Sequence, residues 1–452
     1  MPEFALDPEN RGLLVPFSVW PLRIAVAAAM TVAGFVIPAR ADFIQTYLPR
    51  GVPGFDTERG VTVLTRERPD YDPPGIRLGS FVAHPSLATG IGYDSRVGPD
   101  AAGSWVAHAA PIVTIGSDWG RDRLGAALSL DTYAALDQPD QSFTDWTAAL
   151  GGFKTVDEGG VSLGYAHLAQ HQTATSFGAV PSDTPVAYQV DDLRTDYSVT
   201  TGRMTWTPNA SVSAYRFDAT SVLGAPAPQA YRDRIVSAAG LTARYALADQ
   251  ENLLLIASGL QSHYTRPQPR QASNNSRSLL LLGGLDYLAD GIIRYQLLAG
   301  LEARFFEAAE YGSRVAPVVE ARTIWTPTGL TTVTAELRRT IEDPAAEGTG
   351  GYTATAGRVI VDHEYARDIL LQARAGLQAA EFIRGGGTQA TLGVGATATW
   401  LLNENVRLAL SYDLTHQGPS GNAAIETTHT VSSLTAGAYT RSVALVSVRL
   451  GL

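Results

Sequence analysis

The run Val406-Arg-Leu-Ala-Leu-Ser-Tyr-Asp-Leu-Thr415 decides how this chain folds. Val406, Leu408, Leu410, Tyr412 and Leu414 alternate with Arg407, Ala409, Ser411, Asp413 and Thr415, and only a strand sorts a two-residue period into two faces. The final stretch repeats the pattern, with Ala444, Val446, Val448, Leu450 and Leu452 set against Ser447, Arg449 and Gly451. So do Ile293, Tyr295, Leu297, Ala299, Leu301 and Phe305 against Arg294, Gln296, Glu302 and Arg304. A face that is all apolar beside one that carries full charges suits a strand with lipid outside and water inside.

Extending the pattern from residue 80 to residue 452 gives one repeating unit: strand, aromatic, short polar turn, strand, longer Gly/Pro/Ser-rich loop. The aromatics ahead of the turns are Trp119, Phe153, Trp206, Tyr245, Tyr287, Trp325, Tyr365 and Trp400, which are expected to form a girdle at the headgroup level. The turns read as 120–122, 157–159, 208–210, 249–251, 289–291, 327–329, 367–368 and 403–405. With both chain ends on the turn side, eight turns predict an all-β, antiparallel up-and-down transmembrane barrel of about 18 strands, or about 16 if one hairpin is merged. A soluble propeller has a similar period but needs four short strands per repeat rather than two of roughly ten residues.

The composition agrees. Of 452 residues 45% are hydrophobic and only 17% charged, well below the ~25% of an ordinary soluble domain. No apolar run past residue 41 approaches the ~20 residues of a membrane helix; the densest are 253–257 and 279–282. The net charge of −10 argues against a nucleic-acid partner, and with no cysteine nothing follows from disulfides. Lys154 is the sole lysine.

Residues 1–41 are expected to be a signal peptide, on the strength of Arg23, the apolar run 24–37 and the cleavage pattern Ala39-Arg40-Ala41. The acidic stretch ahead of Arg23 is long for such a signal and leaves a downstream translation start open. Residues 42–75, rich in proline and charge, are expected to form an extended periplasmic segment; docking to a periplasmic partner or plugging of the lumen is the sharper alternative. Residues 76–452 are expected to form the barrel. A TonB-dependent transporter is excluded, because some thirty residues cannot build the folded plug of a ~22-strand barrel.

A charge facing lipid at the midplane costs about 2–4 kcal/mol, so the charged face is the lumen. The lumen candidates are Arg216, Arg294, Glu302, Arg304, Glu320, Arg322, Arg358, Arg374, Arg407, Asp413 and Arg449. Arginine outnumbers carboxylate on this assignment, and guanidinium groups that are more than internal braces would favour anionic cargo. Of the eight histidines only His167 and His171 are close, and on a strand they stand roughly 13 Å apart, too far for one metal. The glycines at 348, 350, 351 and 385–387 lack the lysine-bearing helix of a phosphate loop. No catalytic group, metal or cofactor is expected.

The stretch Val61-Thr-Val-Leu-Thr-Arg-Glu-Arg-Pro-Asp-Tyr-Asp-Pro-Pro-Gly-Ile-Arg-Leu-Gly-Ser-Phe81, with Pro85, Leu87, Gly90, Gly92, Tyr93 and Asp94, resembles the opening region of the putative β-barrel porin 2 family. With the barrel behind it, the resemblance covers essentially the whole chain after residue 41. It implies a proteobacterial, Gram-negative outer-membrane location. Some members are encoded beside exopolysaccharide genes, which implies a role in passing polysaccharide. It supplies no catalytic or binding residues. The C-terminal Leu452 stands where many outer-membrane barrels end in an aromatic, a weakened signal for the barrel-assembly machinery. Two functions stay open: an exit for exopolysaccharide or saccharides, with periplasmic polysaccharide-export proteins as partners, and a general diffusion porin. An outer-membrane hydrolase is a more remote reading. Outer-membrane lipid and lipopolysaccharide are the expected surroundings.

Overall fold

A computed structural model describes residues 47–49, 51–55, 60–100, 102–177, 179, 181–268, 272–287, 292–343, 351–383, 387–418, 424–427, 430–433 and 438–452. The expected signal peptide, the turn expected at 289–291 and the glycines at 348, 350, 385 and 386 lie outside the described residues.

Eighteen strands close one antiparallel barrel. They are β1 (Phe81–Asp94), β2 (Ser104–Ser117), β3 (Arg123–Ala135), β4 (Phe143–Val156), β5 (Gly159–Gln172) and β6 (Val186–Thr201). Next come β7 (Met204–Phe217), β8 (Arg234–Ala248), β9 (Glu251–Tyr264), β10 (Ser276–Tyr287), β11 (Ile293–Phe306) and β12 (Ser313–Thr328). The last six are β13 (Thr331–Glu342), β14 (Tyr352–Ala366), β15 (Ile369–Phe382), β16 (Thr388–Leu401), β17 (Val406–Gln417) and β18 (Tyr439–Gly451). Each pairs with its sequence neighbours, and β18 closes the ring on β1 with Ile91 opposite Val446. Three short hairpins decorate the connections: Ile76–Leu78 on the start of β1, Thr220–Val222 with Ala225–Ala227 after β7, and Ala424–Thr427 with Thr430–Ser433 before β18.

Alternation sets the wall. Leu279, Leu301, Leu410 and Val446 point outward, each more than half exposed, where hydrocarbon would cover them. Their chain neighbours Ser278, Glu302, Ser411 and Ser447 are buried on the inside. The runs 253–257 and 279–282 lack a readable period because both faces are apolar there: Leu254, Leu282, Leu298 and Val318 form a cluster on the inner wall while Leu253, Leu255 and Leu281 face out.

The turn expected at 208–210 is instead the middle of β7, and the chain reverses at 202–203, where Gly202 takes φ +60°. Pro208 misleads because proline marks turns more often than strands. Here it pairs with Leu241 of β8, while the ladder to β6 skips from Asn209 to Trp206, so its missing N–H costs no bond. Pro111 does the same between β2 and β3. The turn expected at 327–329 lies slightly later, because β12 runs on to Thr328 through a bulge.

Candidate transport lumen

Most of the predicted lumen charges share the buried polar face and stand in ion pairs. Arg374 clasps Asp413 through Nε, at 3.0 Å, and through Nη2. Arg358 Nε donates to Glu336 at 2.5 Å, and Arg322 lies 3.5 Å from the same carboxylate. Glu320 sits 3.5 Å from Arg338. Arg304 pairs with Asp343, and Arg449 donates to Ser86 at 3.1 Å. Glu302 accepts from the Ile341 N–H at 3.2 Å and the Thr340 hydroxyl at 3.3 Å. Arg294 lies beside Gly60, and Arg407 reaches Asp72 at 2.7 Å.

Arg216 departs from this. Its neighbours Tyr215 and Phe217 are the buried, inward residues of β7, so Arg216 shares the outward face of Val212 at the strand's loop end. There it lies 3.5 Å from Asp191 with a largely exposed side chain. Phe153, expected in the girdle, is likewise on the inner face. It is cross-strand from Arg123, whose guanidinium carbon lies 5.0 Å above its ring. Trp206 follows its turn rather than preceding it, but faces out. Trp119, Tyr245, Trp325, Tyr365 and Trp400 are exposed at the short-turn end, and Tyr287 stacks there on Tyr295 at 5.4 Å. A second set of outward rings, Tyr93, Trp105, Trp146, Tyr165 and Phe305, stands toward the loop end.

Sequence reading missed several inward carboxylates. Asp94 is fully buried and takes Arg441 and the Tyr133 hydroxyl, the latter at 2.7 Å. Asp192 pairs with Arg194 at 2.6 Å, Asp286 lies 3.4 Å from Arg244, and Asp343 bridges Arg304 and Arg234. The arginine excess inferred from the sequence shrinks accordingly, and the pairs act as cross-braces of a polar interior. Alternation within one strand could have found Asp94 and Asp192. Asp343 lies past the end of β13, and no local pattern could place it.

Among the described residues two pieces of chain enter the lumen besides the end of β13. The connection 173–185, between β5 and β6, reaches across it. Thr175 O accepts from the Tyr439 hydroxyl at 2.8 Å, and its Oγ1 from Arg441 at 3.3 Å, both on β18. The Phe177 ring lies 6.4 Å from Tyr352 on β14, half-way round the ring from β5. The loop is anchored at its base by Asp183, which accepts the N–H groups of Leu223 and Gly224 at 2.9 Å each. The Gly224 N–H chiefly holds that carboxyl below the usual range. Arg232 donates to Gln172 at the end of β5 at 2.8 Å and is buried against Phe217, 3.9 Å to the ring, and burial pushes its guanidinium down to about 10. Opposite, β13 parts from β12 beyond Arg339 and leans inward, which brings Ile341 to Glu302 and Asp343 to Arg304.

The second piece is the stretch expected as a periplasmic tail. Its described residues pack against the inner wall. Leu48, Val52 and Phe55 join Ala127, Ala149, Ala166, Leu168, Tyr188 and Val190 of β3–β6, and Val63 joins Leu370 and Leu401. Apolar side chains on an otherwise polar stretch are the reason: the wall offers apolar surface that water would otherwise cover.

Among the described residues three histidines stand beside carboxylates. His108 is 2.6 Å from Asp131, His167 is 2.8 Å from Asp191 and His171 is 2.8 Å from Asp145. Among the described residues no group of three or more His, Asp or Glu could hold a metal ion.

No curated protein sequence matches the chain. Among solved structures, Pseudomonas aeruginosa OccK2 (OpdF) is similar with a TM-score of 0.42 at 11% identity over 82% of this chain and 98% of its own. OccK1 (OpdK) of the same organism gives 0.42 at 13% over 82% and 99%, and OpdO gives 0.41 at 15% over 82% and 97%. The profile of the family described as putative beta-barrel porin 2 matches residues 68–437. The chain belongs to that porin family and is an outer-membrane β-barrel.

Proposed function

We propose that this porin passes saccharides, extended polysaccharide chains included, through a narrowed and selective lumen. The observation that supports the reading is the crossing of the lumen by the 173–185 connection. Its far contacts set aromatic rings (Tyr439, Tyr352 and Phe177) beside a guanidinium, Arg441, and a hydroxyl, Thr175. A sugar presents apolar C–H faces and a rim of hydroxyls; the partly exposed Phe177 ring and Arg441 suit the two, while the buried Tyr439 and Tyr352 hold the loop across the pore. The association with exopolysaccharide genes that the family resemblance implies points the same way.

A general diffusion porin is the second reading, favoured by the pairing of the inner arginines, which leaves little field to discriminate by charge. Proteoliposomes given neutral oligosaccharides, uronate-containing oligosaccharides and amino acids separate the two. Saccharide entry faster than that of amino acids of smaller size supports the proposal. Entry ordered by size alone overturns it in favour of general diffusion.

A further inference from the structure

Gly116, Gly125, Gly151 and Gly164 form a row. They sit in register across four adjacent strands, Gly116 opposite Gly125, Gly125 opposite Gly151 and Gly151 opposite Gly164. Glycine weakens a strand, so four side by side in one wall call for a reason. The chain segment 51–55 supplies it for three of them. A Cβ on Gly151 would stand 1.8 Å from the carbonyl oxygen of Pro53, one on Gly125 2.9 Å from Pro53 Cδ, and one on Gly164 2.7 Å from the Phe55 ring. From the other side, Gly54, at φ +88°, would meet the Gly164 backbone at 2.8 Å if it carried a Cβ. At Gly116 nothing lies within 4 Å. The track is thus cut for a backbone, and the apolar residues around it receive Val52 and Phe55.

Residues 60–74 continue along the short-turn mouth, held by several latches. Val63 N–H donates to Thr332 Oγ1 at 3.1 Å, and Arg66 donates to Gly329 O at 2.6 Å and pairs with Glu364. Arg68 reaches the same carboxylate at 3.0 Å, and Arg407 holds Tyr71 O at 2.9 Å and Asp72 at 2.7 Å. Those anchors run from β13 round to β17, while the track lies on β3–β5.

We propose that these two stretches, 51–55 and 60–74, are a strap seated in the lumen that fixes the size limit of the pore, and that the glycine track is the seat that keeps it there. The 51–55 stretch occupies the β3–β6 side of the lumen and 60–74 the short-turn mouth from β13 to β17, so cargo is confined to the space they leave.

The test is to place a side chain on the track. Gly151→Val is compatible with strand geometry but occupies the position of Pro53 O; Gly116→Val, in the same row, meets open space. Both proteins are refolded as full chains, and read by unit conductance in planar bilayers, by the largest oligosaccharide admitted to liposomes, and by trypsin cleavage after Arg66. The expected result for Gly151→Val is a higher conductance, a larger size limit and cleavage after Arg66, with Gly116→Val unchanged from the parent protein. Should Gly151→Val fail to give a folded, heat-modifiable band, Val52→Asp with Phe55→Asp expels the strap without altering a barrel strand, and the same rise is expected. Cleavage after Arg66 with parental conductance and size limit overturns the proposal, as does a strap that stays protected in both variants. Neither outcome bears on which solutes the pore prefers.

Discussion

At Gly395 the lumen records how tightly its charges are packed: a Cβ there would come within 2.2 Å of Asp413 Oδ1 and 2.8 Å of Arg374 Nε. The Asp413 side chain is only 6% exposed, and it is held by both Nε and Nη2 of one guanidinium. Removing one partner strands the other where water cannot replace it, so Asp413→Ala is expected to cost about 3–5 kcal/mol. The Arg77–Asp118 pair, with side chains 64% and 56% exposed, is the contrast, and Asp118→Ala should leave stability almost unmoved. Urea unfolding in lipid vesicles reads both, and equal losses would mean that burial does not govern these pairs. The wall's two faces can be compared similarly. Leu410→Arg, outward in the middle of β17, should cost about 2–4 kcal/mol, whereas Thr399→Arg on the half-open inner face should cost far less. Ala409 is a poorer inner site for an added arginine, being covered to 5% exposure.

Elements were legible where a rule is local. Alternation at 406–415 and 293–305 gave the faces, and the regular spacing of the tight turns gave about 18 strands, although the one expected at 208–210 falls at 202–203. The misreadings each have a physical cause. Pro208 resembles a turn because its strand role depends on a neighbour that skips a pairing. Arg216 and Phe153 were misplaced because a strand end and a small partner, Gly160, are not visible in one strand's pattern. The crossing loop depends on contacts between residues such as Thr175 and Tyr439, far apart in sequence, which no local pattern encodes. Two expectations belong to that loop. Tyr439→Phe removes the hydroxyl that Thr175 O accepts, worth about 1 kcal/mol, and should raise open-channel current noise. Asp183 binds its protons less readily when the loop is anchored, so its stabilisation is full above the ordinary Asp range near pH 4 and is lost as pH falls through the lowered folded value. Acidification through that lowered value should loosen the loop, and Asp183→Asn should remove the pH dependence. Noise independent of pH in the parent protein would show that Asp183 is not the anchor.

The whole molecule is a wide ring made narrow from within. An unobstructed barrel of about 16–18 strands leaves an open aqueous channel. Here the 173–185 connection spans the lumen toward β14 and β18, the end of β13 leans in over β11, and the 51–55 and 60–74 stretches line the wall at the short-turn side. Charge is balanced locally by pairs such as Arg441–Asp94 and Arg374–Asp413, so restriction should act by size and shape more than by net field. Single-channel recording of the refolded full chain in a planar bilayer, under a salt gradient, measures both properties at once. The account predicts discrete steps, smaller than those of an unobstructed barrel of this strand number, with a reversal potential close to zero. Absence of steps, steps of full-barrel size, or a reversal potential near that of a pure anion or cation channel would contradict it.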